Sequence, residues 1–326
     1  MNLLDTNLNL EPEPLVSVAI TSYNHAALLP KAIDSILQQQ TNFPFEIVIG
    51  DDCSTDDTVA IARGYQTRYP YLIRIVARTK NVGTQRNYYD LFEQCRGKYI
   101  AWLDADDYWT DPQKLSLQAE LLEKDASITI CGHFVRWITR DGQVMRPRYP
   151  ELAGGVYGTK AILEKNFMPS PSAMFRNGLQ HKLPKWYFDV PPLTDWPLWV
   201  LGTCPGDIYM IDRVMADYTL NTTSSFWGKG DLFWREMNAD FYDRVECELP
   251  HEFRQKIKER KGAEYEEIAY ILRQQGKYAE SRRAAWRAFQ SPVIADRMIS
   301  KAKALAASIF RELQFRVRGN PKLPEM

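Results

Sequence analysis

The sequence predicts an α/β protein, a mostly parallel sheet flanked by helices, with a helical extension behind it. Two observations carry this. Short β-branched runs, apolar on both faces, alternate with helix-period segments over roughly the first hundred residues, the pattern of parallel strands joined by helical crossovers. From about Asp231 the strand pattern stops and only helical spacing remains. The expected organisation is a lead over 1–14, a sheet domain over 15–230 and an α-helical extension over 231–326.

The elements follow in order. Leu15 to Ser22 (LVSVAITS) reads as a strand covered on both sides, and Tyr23-Asn24-His25 turns the chain. From Pro30 to Gln40, Ile33, Ile36 and Leu37 recur at helical spacing, with Pro30 tolerated in the first turn. Phe45 to Gly50 is a second strand; Ser54-Thr55-Asp56-Asp57 offers N-cap candidates and first-turn acids for a helix reaching Tyr69. Ile73 to Ala77 is a third strand, Asn81-Val82-Gly83 a turn, and Tyr88, Leu91, Phe92 and Cys95 form the buried stripe of the next helix. Tyr99 to Leu103 is a fourth strand, opening into a loop with Asp104, Asp106, Asp107 and Asp111. Right-handed crossovers gather the loops after parallel strands along one edge, and in such sheets that edge binds the ligand.

Composition narrows the function. The chain is 45% apolar and 25% charged, as a globular protein with a sizeable core should be. Lys plus Arg equal Asp plus Glu at 41 each, so no global basic field favours nucleic acid. Five widely spaced cysteines, Cys53, Cys95, Cys131, Cys204 and Cys247, include no C-x-x-C, which argues against a disulfide framework or a zinc site and fits a reducing cytoplasm. The start MNLLDTNLNLEPEP lacks a signal-peptide pattern, and no run of about 18 apolar residues occurs, so neither secretion nor membrane spanning is expected.

Clustered acids repel unless a cation or proton shares their charge, so Asp104 to Asp111 point to a divalent ion, with solvated loop acids as the plain alternative. Mg²⁺ takes one or two carboxylates and completes its shell with water and substrate phosphates. A calcium loop is excluded, because counting from Asp104 the sixth position is Trp109 and the twelfth is Leu115. Neither G-x-x-x-x-G-K-[ST] nor G-x-G-x-x-G occurs, so a metal must take the role of a phosphate-cradling loop. The four histidines, His25, His133, His181 and His251, are scattered and give little support to a histidine metal site.

VSVAITSYNHAALLPKAIDSILQQ, IVIGDDCSTDDT, NVGTQRN and YIAWLDADDYWTDPQKL, in this order and spacing, resemble the family 2 glycosyltransferases, inverting enzymes with the Rossmann-like, A-type nucleotide-diphospho-sugar transferase fold. The resemblance covers roughly Val16 to Tyr218 and divides the domain into a nucleotide-sugar half, 15–125, and an acceptor half, 126–230. It implies that Thr21 and Tyr23 line the nucleoside, that Asp52 pairs with the imino N–H of uracil, favouring UDP or dTDP, and that Asp104 lies near ribose and sugar. Asp106 would ligate Mg²⁺ or Mn²⁺, with Asp107 in support. Arg86 and Asn87 match the donor-facing pair after the glycine turn, although Arg86 equally suits a helix surface.

In the acceptor half, Ile128 to Val144 reads as a hairpin around Asp141-Gly142, and Gly154 to Gly158 as a mobile loop. PSPSAMFRNG, Pro169 to Gly178, is similar to a segment that passes the donor sugar in the family, or is a plain turn and strand. In PPLTDWPLWVLG, Asp195 could simply favour a helix N-terminus; the resemblance makes it the general base, with Thr194 where relatives carry a preceding acid. Relatives also carry Tyr-Arg-x-His where this chain has Tyr218-Thr219-Leu220-Asn221, which weakens metal binding or shifts diphosphate contacts to Ser224, Ser225, Trp227 and Lys229.

The tail contains a helical pair, Ala263–Gln274 and Tyr278–Phe289, similar to one tetratricopeptide unit, suited to packing on the catalytic domain or to a homodimer. A last helix over Arg297 to Val317 has Met298, Ala302, Leu305, Ile309, Leu313 and Val317 at helical spacing with basic neighbours, either a docked core face or, over 297–318, a surface for an anionic leaflet. The expected protein is thus a metal-dependent transferase of a sugar to a glycan or lipid-linked acceptor in cell-surface polysaccharide or lipopolysaccharide synthesis, cytoplasmic or peripheral at the inner membrane face. The alternative is a non-catalytic nucleotide-sugar-binding or assembly protein acting through its tail; a nucleotidyltransferase ranks third and a glycosidase lower.

Overall fold

The computed structural model of the chain describes residues 3–5, 13–190, 193–220, 228–291 and 295–318. It divides into two compact units, Met1–Ser225 and Phe226–Met326.

The first half of the first unit contains β1 (Leu3–Asp5), β2 (Val16–Ser22), α1 (Leu29–Leu37), β3 (Phe45–Asp51), α2 (Thr58–Arg68), β4 (Ile73–Arg78), α3 (Thr84–Phe92) and β5 (Tyr99–Asp104). Every residue of β2 is buried, as its two-sided apolar sequence requires. β4, β3, β2 and β5 lie side by side in parallel, which is the expected alternation of strand and helix made concrete. The segment read as a lead adds β1, antiparallel to β4 at the sheet edge. α1 carries Pro30 in its first turn and buries Leu29, Ala32, Ile33 and Ile36 in the core that also takes Val18, Ile20, Ile47 and Ile49.

The second half adds β6 (Tyr108–Trp109), α4 (Lys114–Lys124), β7 (Ile128–Ile138), β8 (Val144–Tyr149), β9 (Gly155–Tyr157), α5 (Thr159–Glu164), β10 (Met174–Arg176), α6 (Trp196–Gly202) and β11 (Asp207–Thr219). Among the described residues the sheet runs β1-β4-β3-β2-β5-β10-β7-β11-β6, with β8 on β7 and β9 on β11. β10 is antiparallel to both β5 and β7, so the parallel half joins the second half of the sheet through a strand of opposite sense. The β7–β8 hairpin forms as expected: Gly142 has φ +86 and donates its N–H to Thr139 O at 2.9 Å. Gly154–Gly158 is not the free loop expected of it, because β9 pairs there with β11 through Tyr157–Ile208. Periodicity misses a strand this short.

At the amino ends of the strands a buried carboxylate ties the sheet together. Glu46 accepts from Ser17 Oγ at 2.6 Å, Arg96 N at 2.9 Å and Arg96 Nε at 3.0 Å, with Arg74 Nη1 at 3.5 Å. All five cysteines are free, in keeping with the absence of a disulfide framework.

The second unit comprises α7 (Asp231–Val245), α8 (Arg254–Gln274), α9 (Tyr278–Phe289) and α10 (Ala295–Arg318). α8 and α9 are the expected pair. Gly276, at φ +76, makes the turn between them, and Lys277 N caps Leu272 O at 2.9 Å. Their core consists of Ala239, Ile268, Ala269, Leu272, Ala284 and Ala285. Among the described residues no helix is long and apolar enough to cross a membrane.

Gly97 makes a close approach that shapes the sheet. A Cβ there would lie 2.4 Å from Ser17 N and 2.7 Å from Val16 C, both backbone atoms. Gly97→Ala is therefore expected to lower unfolding free energy by about 2–4 kcal/mol in a denaturant titration. A loss below about 1 kcal/mol would mean that β2 can move aside.

Candidate active site

Parallel register does the first work at the carboxyl edge. It sets Thr21 opposite Asp104 and Ser22 opposite Asp51, so three loops distant in sequence meet at one place. Asp104 is the hub. Its Oδ1 accepts from Thr21 Oγ1 at 2.6 Å, Tyr88 OH at 2.6 Å and Trp102 Nε1 at 3.4 Å, and its Oδ2 from Ser170 Oγ at 2.7 Å. Tyr88 enters the sequence reading only through a helix stripe, and Ser170 only within the segment read either as passing the donor sugar or as a plain turn and strand; neither is linked there to Asp104. A tyrosine in an apolar stripe needs a partner for its hydroxyl, and that need was the available signal. Burial pushes the Tyr88 hydroxyl well above its ordinary range, and the Asp104 charge adds to the rise, so it stays a donor.

The second loop forms a separate clamp. Asp52 Oδ1 accepts from Val82 N at 2.8 Å and its Oδ2 from Gly83 N at 3.0 Å, while Arg78 Nε stands 3.8 Å away. Gly83 has φ +87, a backbone that glycine adopts without strain. Burial raises the Asp52 carboxyl, and the two N–H bonds and Arg78 oppose that rise. Asn24, at φ +56, accepts from Thr55 N at 2.8 Å and donates its own N–H to Ser54 Oγ at 2.9 Å, zipping the first loop to the second. Tyr23 is 44% exposed beside it, an aromatic face open to solvent.

Arg86 sits on α3 with its side chain half exposed, paired to Asp90 at 2.9 Å and lying 5.3 Å over the Phe188 ring. Asn87 is buried instead, donating to Gly50 O at 3.1 Å and accepting from Arg78 Nε at 3.1 Å. Of the RN pair, only Asn87 is tied into the sheet.

Asp107 is buried. One oxygen accepts Thr219 N at 2.7 Å, and Oδ2 has no hydrogen-bond partner among the described residues. Burial, then the charges of Asp106 and Asp104, push its carboxyl well above the usual range. A buried carboxylate oxygen without a donor, beside the partly buried Asp106, suits a hard cation that takes oxygen ligands. Among the described residues no three His, Cys, Asp or Glu side chains form a self-contained cage. Mg²⁺ or Mn²⁺ held by one or two carboxylates, water and phosphate needs none. Asn221, Ser224, Ser225 and Trp227, considered for the diphosphate, lie outside the described residues.

Asp195 stands at the N-terminus of α6, partly buried, and accepts Asn166 Nδ2 at 3.0 Å. Tyr187 OH donates to Thr194 O at 2.9 Å and fixes the preceding residue. Desolvation, opposed by hydrogen bonds to Trp196 N and Asn166 and aided by the Asp104 charge, pushes the Asp195 carboxyl up to about 6. Asp195, Asp104, Asp106 and Asp107 all act on Tyr218, whose hydroxyl is raised first by burial and then by their charges. The segment from Asn166 to Ser170 bonds Asp195 at one end and Asp104 at the other, which links the acid before α6 to the strand-end acid.

A model of the family described as "Glycosyl transferase family 2" matches residues 17–180. The chain belongs to that family. An uncharacterized protein of Mycobacterium tuberculosis is 34% identical over 272 residues, 80% of this chain and 75% of the relative. A putative teichuronic acid biosynthesis glycosyltransferase of Bacillus subtilis is 34% identical over 122 residues, 37% of this chain and 47% of that one. Among solved structures, Staphylococcus aureus TarS 1–349 with UDP superposes with TM-score 0.54 at 15% identity, over 95% of this chain and 94% of TarS. The mannosyltransferase PcManGT of Pyrobaculum calidifontis, with GDP-Man and Mn²⁺, gives TM-score 0.57 at 17% identity, over 94% and 84%. At such identities the likeness establishes the fold, the glycosyltransferase A-type, and this family 2 member has relatives in polysaccharide synthesis.

The raised Asp195 carboxyl has a consequence for stability. Its folded value of about 6 exceeds the ordinary 3.8, so folding opposes ionisation, and the fold loses stability as pH climbs between those values, with the cost constant above. Asp195→Asn removes the charge and keeps an oxygen for Asn166. At pH 7 it is expected to raise stability by about 1–3 kcal/mol in thermal or denaturant unfolding, with the gain vanishing below about pH 4. Equal or lower stability at neutral pH would contradict the burial of a charge at this position.

Proposed function

We propose that the protein transfers a sugar, with inversion, from a UDP- or dTDP-sugar to a hydroxyl of a glycan or lipid-linked acceptor in cell-surface polysaccharide synthesis. The observation that carries this reading is that one short segment holds both acids, Asn166 Nδ2 donating to Asp195 at 3.0 Å and Ser170 Oγ to Asp104 at 2.7 Å, two acid groups that a displacement reaction uses from opposite sides.

In this reading Thr21, Tyr23 and Asp52 receive the nucleoside, with Tyr23 covering the base and Asp52 accepting its imino N–H. Asp104, held by Thr21, Tyr88, Trp102 and Ser170, meets the ribose and sugar hydroxyls, with Arg86 on the donor side. Asp106, with the free oxygen of Asp107, would hold Mg²⁺ or Mn²⁺, which when bound shares the charge of the departing diphosphate. Asp195 accepts the acceptor's hydroxyl proton as its oxygen bonds to the anomeric carbon and the bond from that carbon to the diphosphate oxygen breaks. A single displacement needs no carboxylate nucleophile, unlike the paired acids of retaining glycosidases. A carboxyl raised to about 6 is ionised at neutral pH yet basic enough to help.

Calorimetric titration with UDP, dTDP and GDP, each with Mn²⁺ and with EDTA, tests the donor side. Metal-dependent binding of a pyrimidine nucleotide is expected, weakened by about tenfold or more in Asp106→Ala. Preference for GDP would overturn the base assignment, and failure of all three to bind would sink the transferase reading. The base is tested by the pH profile of nucleoside diphosphate release during transfer. kcat/KM should fall about tenfold per pH unit below the Asp195 value near 6 and level off above it. Asp195→Asn should remove most of the rate; a variant with unchanged kcat would assign the base elsewhere.

A further inference from the structure

α10 meets its own unit through an unexpected face. Lys301 is buried and its Nζ donates to Ala288 O at 2.9 Å; Ser308 Oγ donates to Tyr278 O at 3.1 Å; Glu312 pairs with Arg282; and Leu305 packs against the alanine-rich core. Positions 301, 305, 308 and 312 form one stripe at helical spacing, and it is largely polar. The apolar residues point away from it. Ile299, Phe310 and Leu313 are 65%, 62% and 56% exposed, and Ile309, Ala302 and Ala306 share their side of the helix. A row of large apolar side chains in solvent, on a helix already docked by its other face, marks an interaction surface.

Charge decides what covers it. Between Ile299 and Gln314 the exposed ionic groups are Lys303 and Arg311, and the single acid, Glu312, is turned inward against Arg282. The sequence continues with Arg316 and Arg318. A second copy laid against this face would bring cations onto cations, whereas anionic lipid headgroups complement it. We propose that α10 binds an anionic membrane surface, lying in the plane of the interface. Ile299, Ile309, Phe310 and Leu313 would enter the headgroup and acyl boundary, with Lys303 and Arg311 at the lipid phosphates. The helix does not span. This goes beyond sugar transfer and stands whether or not the donor assignment holds.

Flotation of the full-length protein with vesicles tests it. Wild type is expected to float with phosphatidylcholine vesicles containing phosphatidylglycerol and to stay behind with phosphatidylcholine alone. Phe310→Glu with Leu313→Glu should abolish flotation, and Lys303→Glu with Arg311→Glu should reduce partitioning by about tenfold or more. These side chains are exposed, so circular dichroism and nucleotide binding should match wild type and confirm the fold. Light scattering of wild type and of the Phe310→Glu, Leu313→Glu variant closes the remaining route. Absence of wild-type flotation, flotation unchanged in the variants, or a wild-type dimer that this variant splits would each overturn the proposal, the last in favour of a second copy.

Discussion

The Asp104 carboxylate is the interaction on which the carboxyl edge depends. It ends a strand whose preceding residues are all buried, so its charge has to be solvated by the protein. Donors come from four places: Thr21 on β2, Tyr88 on α3, Trp102 on β5 and Ser170 in the turn before β10. Each donor pins its segment. The end of β2, the middle of α3 and the turn before β10 are thereby placed relative to one another before any ligand arrives, the kind of fixed donor arrangement that preorganised electrostatics uses. Beneath them, Trp102 packs on Tyr88 at 4.4 Å, Phe92 at 5.0 Å and Trp199 at 5.7 Å. Trp199 belongs to α6, so the same aromatic cluster supports the helix that begins at Asp195.

The two ends of the sheet treat buried acid in opposite ways. Glu46, at the amino edge, is surrounded by a serine, two arginines and a backbone N–H, an arrangement that stabilises its charge. At the carboxyl edge Asp107 keeps an oxygen without a donor among the described residues, and burial pushes up both the Asp195 carboxyl and the Tyr218 hydroxyl. One edge is built for stability; the other holds repulsion that a ligand can relieve. Such local cost at a site, met by a rigid scaffold elsewhere, is how function and fold share one chain.

Much of this was legible because it rests on local pattern. The parallel strands follow from two-sided apolar runs, and the ligand edge from the rule that loops after parallel strands share one side. Thr21, Asp52, Asp104, Asp106 and Asp195 came from motif resemblance laid on that frame. Tyr88 and Ser170 were not legible, since their shared partner is fixed only by register and a turn far along the chain. Lys114 is a sharper case. Nothing in PQKL says that this amine is fully buried over the Trp109 ring at 4.1 Å with Gln118 as its acceptor, where desolvation lowers it to about 7. The α10 stripe left two readings open, because apolar periodicity cannot say which face docks when backbone carbonyls and an ion pair select the polar one.

In the proposed reading, where Asp52 meets the base, the preference turns on how much of that carboxylate is left to offer. TarS is recorded with UDP and PcManGT with GDP-Man, so the shared fold does not choose between them. A carboxylate can accept one imino N–H from a pyrimidine, or the two adjacent N–H groups of guanine as a bidentate pair. In this chain each oxygen of Asp52 already holds a backbone N–H of the Val82–Gly83 turn. A single imino contact needs one remaining lone pair and leaves that turn intact. The bidentate contact needs one from each oxygen in a common plane, which competes with the geometry holding Gly83 at its positive φ. Under the proposed role of Asp52, the Val82–Gly83 turn thus suits the smaller base.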